Sequence, residues 1–480
     1  MWDYEADVVI IGYGCAGSTA AISAYDWGAS VIILEKNAAG GGNTKYSGGS
    51  IRTFLDKEKS VDFIEAVCEG ATDREIAGAF VQESSHNAEW LTSIGGAVGP
   101  SAHATGYPQM LPGAAFPSIP GAAAIGPRLR ISGEGAARGK DLWRVLSQNV
   151  DKRKIPVHYS TSAKRLSTGK SGDVTGVTAV AGEKEIKIGA KRAVVLASGG
   201  FENDHSMHLT YLGQRYLSLG NPGNSGDGIR LATDIGADLW HMNAVASCFG
   251  YKFDEFECAI IHWMPTPGFI YADQSCRRFM DEAGTDIHAV WSVTSFVDMK
   301  TLEKPRVPCY VIFDEKTRTK GPVGGTNRGE ISQLHQWSLD NSTEIKNGWI
   351  MASETVGGLA QKIKLGPDSL QRVIDQYNSY CASGYDPDYG RSPDTLIPLD
   401  SPPFYAIAMW PSLFNTQGGP KRNAKSQVLD VWGNPIKRLY SGGELGSLWN
   451  RNYPGGGNIT EALAFGRIAG KNAAAETPLA

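Results

Sequence analysis

The sequence predicts an α/β fold, a parallel sheet flanked by helices and interrupted by an inserted α+β unit, and three observations predict it. Residues 7–34 read as strand, glycine turn, helix and strand, a complete βαβ unit. Two later apolar runs, "RAVVLAS" and "RLYSGGELGS", also lead into glycine pairs, so further strands of the same kind join the sheet. From about residue 250 to residue 405 this grammar gives way to aromatic-rich segments punctuated by proline. The boundaries that follow are a first part at 1–250, an inserted unit at 251–405, and a return to the first sheet at 406–480.

Taken in order, residues 7–11 (DVVII) form an apolar run suited to a central parallel strand. Gly12, Gly14 and Gly17 supply a GxGxxG turn, a helix runs from residue 18 to 27, and Gly28 stops it. "VIIL" at 31–34 is the next strand, with Glu35 at its end, where a dinucleotide fold places the acid that accepts a ribose hydroxyl. "GGGNTKYSGG" at 40–49 is too glycine-rich for helix or strand. It reads either as backbone passing close to a flat ligand or as a flexible loop. Residues 95–139, rich in Gly, Ala and Pro and containing Tyr107, read as an irregular excursion toward a substrate. A helix at "KDLWRVLSQNV" and strands at "IPVHYS", "VTGVTAV" and "RAVVLAS" follow, and "SGDGIRLATDIGADL" at 225–239 repeats turn then helix.

The C-terminal "RNYPGGGNITEALAFGRIAG" reads as a glycine turn feeding a helix. Asn458 is a suitable N-cap, and Glu461, three residues on, completes a capping box. Small residues Ala462, Gly466, Ala469, Gly470 and Ala473 predict close packing of this helix on the first unit.

Composition narrows the function. A chain of 480 residues with 41% hydrophobic content has room for two cores, and a net charge of −4 offers no electrostatic footprint for nucleic acid or an anionic membrane. A small neutral or weakly polar ligand fits better. Seven cysteines without CxxC spacing argue against a disulfide framework, a metal site or attached haem. The first strand begins at Asp7, no leader precedes it, and no apolar run approaches ~18 residues. These features predict a cytoplasmic protein without membrane insertion or metal.

Together GYGCAG with Glu35, GGGNTKYSGG, AVVLASGGFEND, SGDG, RRFMDE, YNSYCASGYDPDYGR, TQGG, LYSGGE and the C-terminal GGGN helix stand in the order used by one flavoprotein family. The chain resembles the fumarate reductase/succinate dehydrogenase flavoprotein superfamily over nearly its whole length. Its tail "NYPGGGNITEALAFG" is most similar to the 3-ketosteroid dehydrogenase branch. The resemblance implies a Rossmann-like FAD-binding domain holding FAD non-covalently, with an inserted α+β cap domain closing over the flavin. It implies that Gly12, Gly14, Ala16 and Gly17 approach the pyrophosphate and that Glu35 holds the adenosine ribose, with Ala163 on the adenine side and Lys36 also among the cofactor-binding residues. It further implies that Gly42, Asn43, Thr44, Ser47, Gly48 and Gly49 line the flavin, and that Ser198, Gly199, Asn203, Asp227, Glu444, Gly457, Asn458 and Ile459 complete the site. The N-terminus of the last helix would then face the flavin pyrimidine carbonyl, where its dipole favours the reduced form.

Departures from the family pattern bear on the substrate. Where dicarboxylate reductases of the superfamily carry an arginine, a histidine and a second, proton-donating arginine, this chain has Tyr453, Asn415 and Asp286. A doubly charged fumarate would lack cations there, so fumarate and succinate are not expected as substrates. Ketosteroid dehydrogenases place a tyrosine in the turn, matched by Tyr453, and one in the cap, where Asp286 stands instead. The Tyr453 phenol with the Gly457 N–H would bind a carbonyl oxygen and stabilise its enolate, unless Tyr453 simply packs against the cap. Asp286 is the candidate acid or base, or else a surface acid or a partner of Arg277 or Arg278. Tyr107 and His288 stand in reserve.

The resulting expectation is an FAD-dependent oxidoreductase acting on a carbon–carbon bond next to a ketone in a bulky apolar ring substrate, like a 3-ketosteroid. One alternative is a reductase of phenolic ring compounds such as isoflavonoids. Another is a flavin-binding protein without catalysis. "GEGAAR" at 133–138 breaks the GxGxxG pattern, so no second dinucleotide domain is expected and the electron donor or acceptor is left unnamed.

Overall fold

The computed structural model describes residues 1–101, 116–131, 139–256, 258–325 and 335–479. Its first sheet has β1 (Tyr4–Ile11) at the centre, parallel to β2 (Val31–Leu34), with β3 (Val157–His158) beyond β2. β4 (Thr161–Thr168) and β5 (Val174–Ala181) form an antiparallel hairpin leading into β6 (Lys184–Leu196), which is parallel to β1 on its other side. The inner residues Val8, Val9 and Ile10 are wholly buried, as a strand covered on both faces requires.

The turn after β1 shows why glycine is needed. Gly12 has φ +106°, and a Cβ there would lie 2.4 Å from the Ala197 carbonyl oxygen. A Cβ on Gly17 would lie 2.0 Å from the Gly12 carbonyl oxygen, so Gly17 seats the helix on the strand. The helix, α1 (Cys15–Asp26), begins three residues before the expected start because the turn closes directly into it. The loop at 40–49 also differs from expectation. Gly41, at φ +119°, and Gly42, at φ +44°, turn the chain sharply into a short helix, α2 (Gly42–Tyr46), which a count of glycines cannot foresee.

The second sheet is antiparallel in its main pairings. β7 (Val245–Tyr251), β8 (Phe269–Ala272) and β9 (Cys309–Asp314) are organised on the thirteen-residue β10 (Phe404–Thr416). Beneath it lies a buried ion network. Arg278 holds Glu282 (Nε–Oε1 2.8 Å) and Asp386 (Nη2–Oδ2 2.9 Å), and Arg391 reaches Glu282 from the other side at 3.0 Å. Arg278, the second arginine of RRFMDE, is therefore a structural tie within the second unit and is not paired with Asp286.

After β10 the chain returns to the first sheet through β11 (Gln427–Leu429) and β12 (Pro435–Ser441), the latter parallel to β6. It ends in α3 (Gly457–Ala475), which lies along α1 as the run of small residues predicts. A Cβ on Gly470 would sit 2.3 Å from the Ala20 carbonyl oxygen, and one on Gly466 2.9 Å from that of Ala16. Among the described residues no helix is long and apolar enough to cross a membrane, and no group of metal-ligating side chains converges.

Candidate active site

A cleft enclosing about 1550 Å³, counting its open mouth, runs from the C-terminal ends of β1 and β2 to the turn before α3. This is where an open parallel sheet places its ligands. Gly12, Gly14 and Ala16 line one end. No side chain caps α1, apart from the Thr44 hydroxyl that accepts the Cys15 N–H at 2.8 Å, so its N-terminal dipole is directed at the cleft. Glu35, 6% exposed, accepts the N–H groups of Tyr13 (3.0 Å) and Asn37 (2.8 Å), which fix its carboxylate on the wall. Lys36 and Asp227 also line the cleft, but they pair with each other, Nζ to Oδ2 at 2.6 Å.

The flavin-side residues expected from sequence come together. Gly42, Asn43, Thr44, Ser47, Gly48, Gly49, Ala163, Ser198, Gly199, Glu444, Asn458 and Ile459 all line the cleft, and Asn43 hydrogen-bonds Glu444 at 2.9 Å. A Cβ on Gly48 would meet nothing within 4 Å, so the space in front of it is open. Three expected residues stand back from the cleft wall. Gly17 is packed beneath Gly12. Asn203 spends its side chain on the Asn221 carbonyl at 2.7 Å, bracing the loop that carries Asn224. A Cβ on Gly457 would lie 2.5 Å from the Trp449 indole, so the glycine allows that ring to approach.

The end of the cleft near α3 brings together residues from four separate segments. Tyr453, 6% exposed, lies edge-on to the His288 ring, with centroids 5.1 Å apart. Its phenol oxygen accepts the Asn458 N–H at 3.1 Å, and burial pushes its pKa up to about 12. His288 lines the cleft, whereas Asp286 stands behind it, its Oδ1 2.7 Å from His288 Nδ1. Burial acts to raise the Asp286 pKa, but His288, its hydrogen bonds and Arg128 outweigh that and hold it below the ordinary carboxylate value. Sequence alone left that balance open. Tyr107 lies outside the described residues, as do residues 133–138.

Sequence reasoning missed two arginines here, and the expectation that this end lacks cations does not hold. Arg52, 3% exposed, donates from Nε to the Gly455 carbonyl at 2.8 Å and from Nη2 to that of Pro454, pinning the turn. Burial lowers its pKa to about 9. Arg128, 8% exposed, lines the cleft. A Cβ on Gly455, at φ +68°, would lie 3.0 Å from His288 Cε1 and 3.6 Å from Arg128 Nη1, so this glycine leaves open the gap between imidazole and guanidinium. The signal was one arginine just after the 40–49 loop and one inside the irregular excursion, without a motif to join them.

The expected capping box is absent. Gly456, at φ +71°, occupies the N-cap, and Asn458 lies inside the first turn with its amide bonded to Gln417 at 2.8 Å. Glu461 is fully buried, where it accepts the Ser447 hydroxyl (2.6 Å) and the Leu448 N–H (2.8 Å) and pairs with Arg422. Burial raises its pKa to about 7 against the pull of Arg422. A helix end buried in protein finds its partners in tertiary contacts, and these displace the local box.

A glycine-lined cleft with a helix N-terminus at each end and a buried carboxylate just after β2 has the form of a dinucleotide-binding site. Ser198 Oγ and Asn224 Nδ2 sit on its wall buried without a protein partner, as a polar cofactor requires. The chain belongs to the FAD binding domain family, whose sequence model matches residues 7–460. It is 27% identical over 505 aligned positions to a vinyl phenol reductase of Lactiplantibacillus plantarum, covering 98% of this chain and 97% of that protein. It is 27% identical over 482 positions to a cytochrome-type fumarate reductase of Shewanella frigidimarina, covering 98% and 77%. The 3-ketosteroid Δ1-dehydrogenase structure from Sterolibacterium denitrificans shares the fold, with a TM-score of 0.83 at 20% identity over 98% of this chain and 99% of that one. The protein is thus an FAD-binding oxidoreductase of the fumarate reductase/succinate dehydrogenase flavoprotein superfamily.

Proposed function

We propose that the protein exchanges hydrogen across a carbon–carbon double bond conjugated to an oxygen on a ring-bearing substrate, with the ring ketone as the first reading. The observation that carries it is the group of Tyr453, His288 and Asp286 at the α3 end of the cleft. The glycine cradle, Glu35 and the residues of the 42–49 wall would hold FAD, which would supply or take up the hydride.

Tyr453 donates its hydroxyl to the substrate oxygen. With its pKa pushed up to about 12 it stays protonated across the working range, and the Asn458 N–H on its oxygen polarises the O–H further. Arg128 favours negative charge developing on the same substrate oxygen. Asp286, ionised, accepts from His288 Nδ1, which leaves Nε2 to give or take the proton at carbon. The proton role expected of Asp286 is thereby passed to His288, with Asp286 orienting it. The cations that the sequence left out of this end are present in Arg52 and Arg128, so the charge argument against a dicarboxylate falls away.

The phenolic-ring reading is the second, supported by the similarity to a protein named vinyl phenol reductase and by a phenol–guanidinium pair suited to a phenolic oxygen. Both readings are tested by mixing reduced protein anaerobically with unsaturated ring ketones and with alkenyl phenols. Oxidation by the ketone with loss of the double bond supports the first reading, and by the phenol alone the second. Inertness toward both contradicts the proposal. In Tyr453→Phe the yellow colour is expected to persist while single-turnover oxidation slows by about 10²-fold.

A further inference from the structure

Beside the cofactor end of the cleft two carboxylates meet without a cation. The side-chain amide of Asn43 donates from one nitrogen to both, to Glu202 Oε1 at 3.1 Å and to Glu444 Oε2 at 2.9 Å. The two groups are therefore no farther apart than these two bonds placed end to end. A Cβ on Gly200 would touch both, at 3.1 Å from Glu202 Oε1 and 2.5 Å from Glu444 Oε1. Each carboxylate also has one oxygen, Glu202 Oε2 and Glu444 Oε1, that is buried with no other hydrogen-bond partner. Among the described residues no lysine, arginine or histidine forms an ion pair with either. The other groups facing them, the Asn43 amide and the Thr416 N–H, are neutral donors.

Two like charges this close and this buried do not both ionise. Both carboxylates share the same neutral donors: the Asn43 amide reaches each, and the Thr416 N–H, 3.1 Å from Glu202 Oε1, also acts to lower the Glu444 pKa. What separates them is position, for Glu202 is 1% exposed and stands behind the wall while Glu444 lines the cleft.

We infer that Glu202 and Glu444 share a single proton, and that Glu202 is a positioning residue that carries the negative charge behind the wall so that Glu444 meets FAD as a neutral acid. The shared proton lies between the two carboxyl groups, each of which has one oxygen buried without a partner, Glu202 Oε2 and Glu444 Oε1. Burial and the neighbouring Glu202 both act to raise the Glu444 pKa well above the ordinary value. A neutral wall spares the anionic pyrophosphate of FAD a repulsion that an ionised Glu444 would impose. The inference rests on FAD binding and is independent of the substrate reading above.

The test uses the full-length apoprotein and FAD alone. Infrared spectroscopy at neutral pH is expected to show a protonated-carboxyl C=O band in the wild type that is missing from Glu444→Gln. In quenching titrations of flavin fluorescence, wild-type affinity is expected to fall as pH rises into the alkaline range and Glu444→Gln to lose that decline. Glu202→Gln, its fold checked by circular dichroism, removes the neighbouring charge and leaves burial alone to hold the proton on Glu444, so the alkaline decline in affinity is expected to begin at lower pH. Absence of the band from the wild type, or an unchanged alkaline decline in Glu444→Gln, overturns the inference. Should Glu202→Gln not fold, those two measurements decide alone.

Discussion

At the scale of single residues the substrate end depends on how Asp286 and His288 are turned. Asp286 caps a short turn, accepting the His288 N–H at 2.8 Å and facing its ring at 2.7 Å, so the residue two positions on enters the cleft instead. Asp286→Asn replaces an acceptor-only group by one that can also donate, loosening the tautomer and orientation of His288. Single-turnover flavin oxidation is expected to slow by about 10²-fold while FAD stays bound. Stability carries a second signature. The folded pKa of Asp286 lies below its ordinary 3.8. The carboxylate therefore stabilises the fold above that value and loses the contribution as pH falls through the folded pKa. Melting curves of wild type and Asp286→Asn should converge in acid, and a gap that stays constant below the ordinary value would contradict the pairing. Sequence reached Asp286 by counting along RRFMDE, but it did not reveal the turn that hides the carboxylate behind the imidazole. Nor did it reveal Arg52 and Arg128, since only the folded chain brings them to Tyr453.

Elements that local rules govern were legible, and those settled by tertiary contact were not. The β1–α1 turn follows from glycine sterics alone, and the seating of α3 on α1 follows from its small residues. The start of α3 was misread because Glu461 looks inward to Arg422. Two predictions belong here. Gly470→Val drives a side chain toward the Ala20 carbonyl and is expected to destabilise the protein by about 1–3 kcal/mol in chemical denaturation. Arg422→Met removes one partner of a fully buried pair, with an expected loss of about 3–5 kcal/mol. An Arg422→Met variant as stable as the wild type would mean that Glu461 is protonated in the fold and needs no cation.

For the whole molecule, β10 belongs to the second sheet, yet its end at Asn415 and Thr416 reaches the cleft and Glu202. The two sheets are therefore joined at the cofactor, and FAD should stabilise the chain as one body. At about a hundred times its dissociation constant FAD is expected to add about 2.7 kcal/mol, read as a single shifted thermal transition. The central claim is that this cleft holds FAD and uses Tyr453 with the His288–Asp286 pair to exchange hydrogen across a conjugated double bond. Its most direct measurement is anaerobic single turnover, following flavin absorbance as photoreduced protein meets an unsaturated ring ketone or an alkenyl phenol. The account predicts that the oxidised flavin spectrum returns with one double bond lost per flavin, and that Tyr453→Phe and Asp286→Asn keep FAD while slowing this step by about 10²-fold. A spectrum that stays bleached with both substrate classes, or variants that turn over as fast as the wild type, would contradict it.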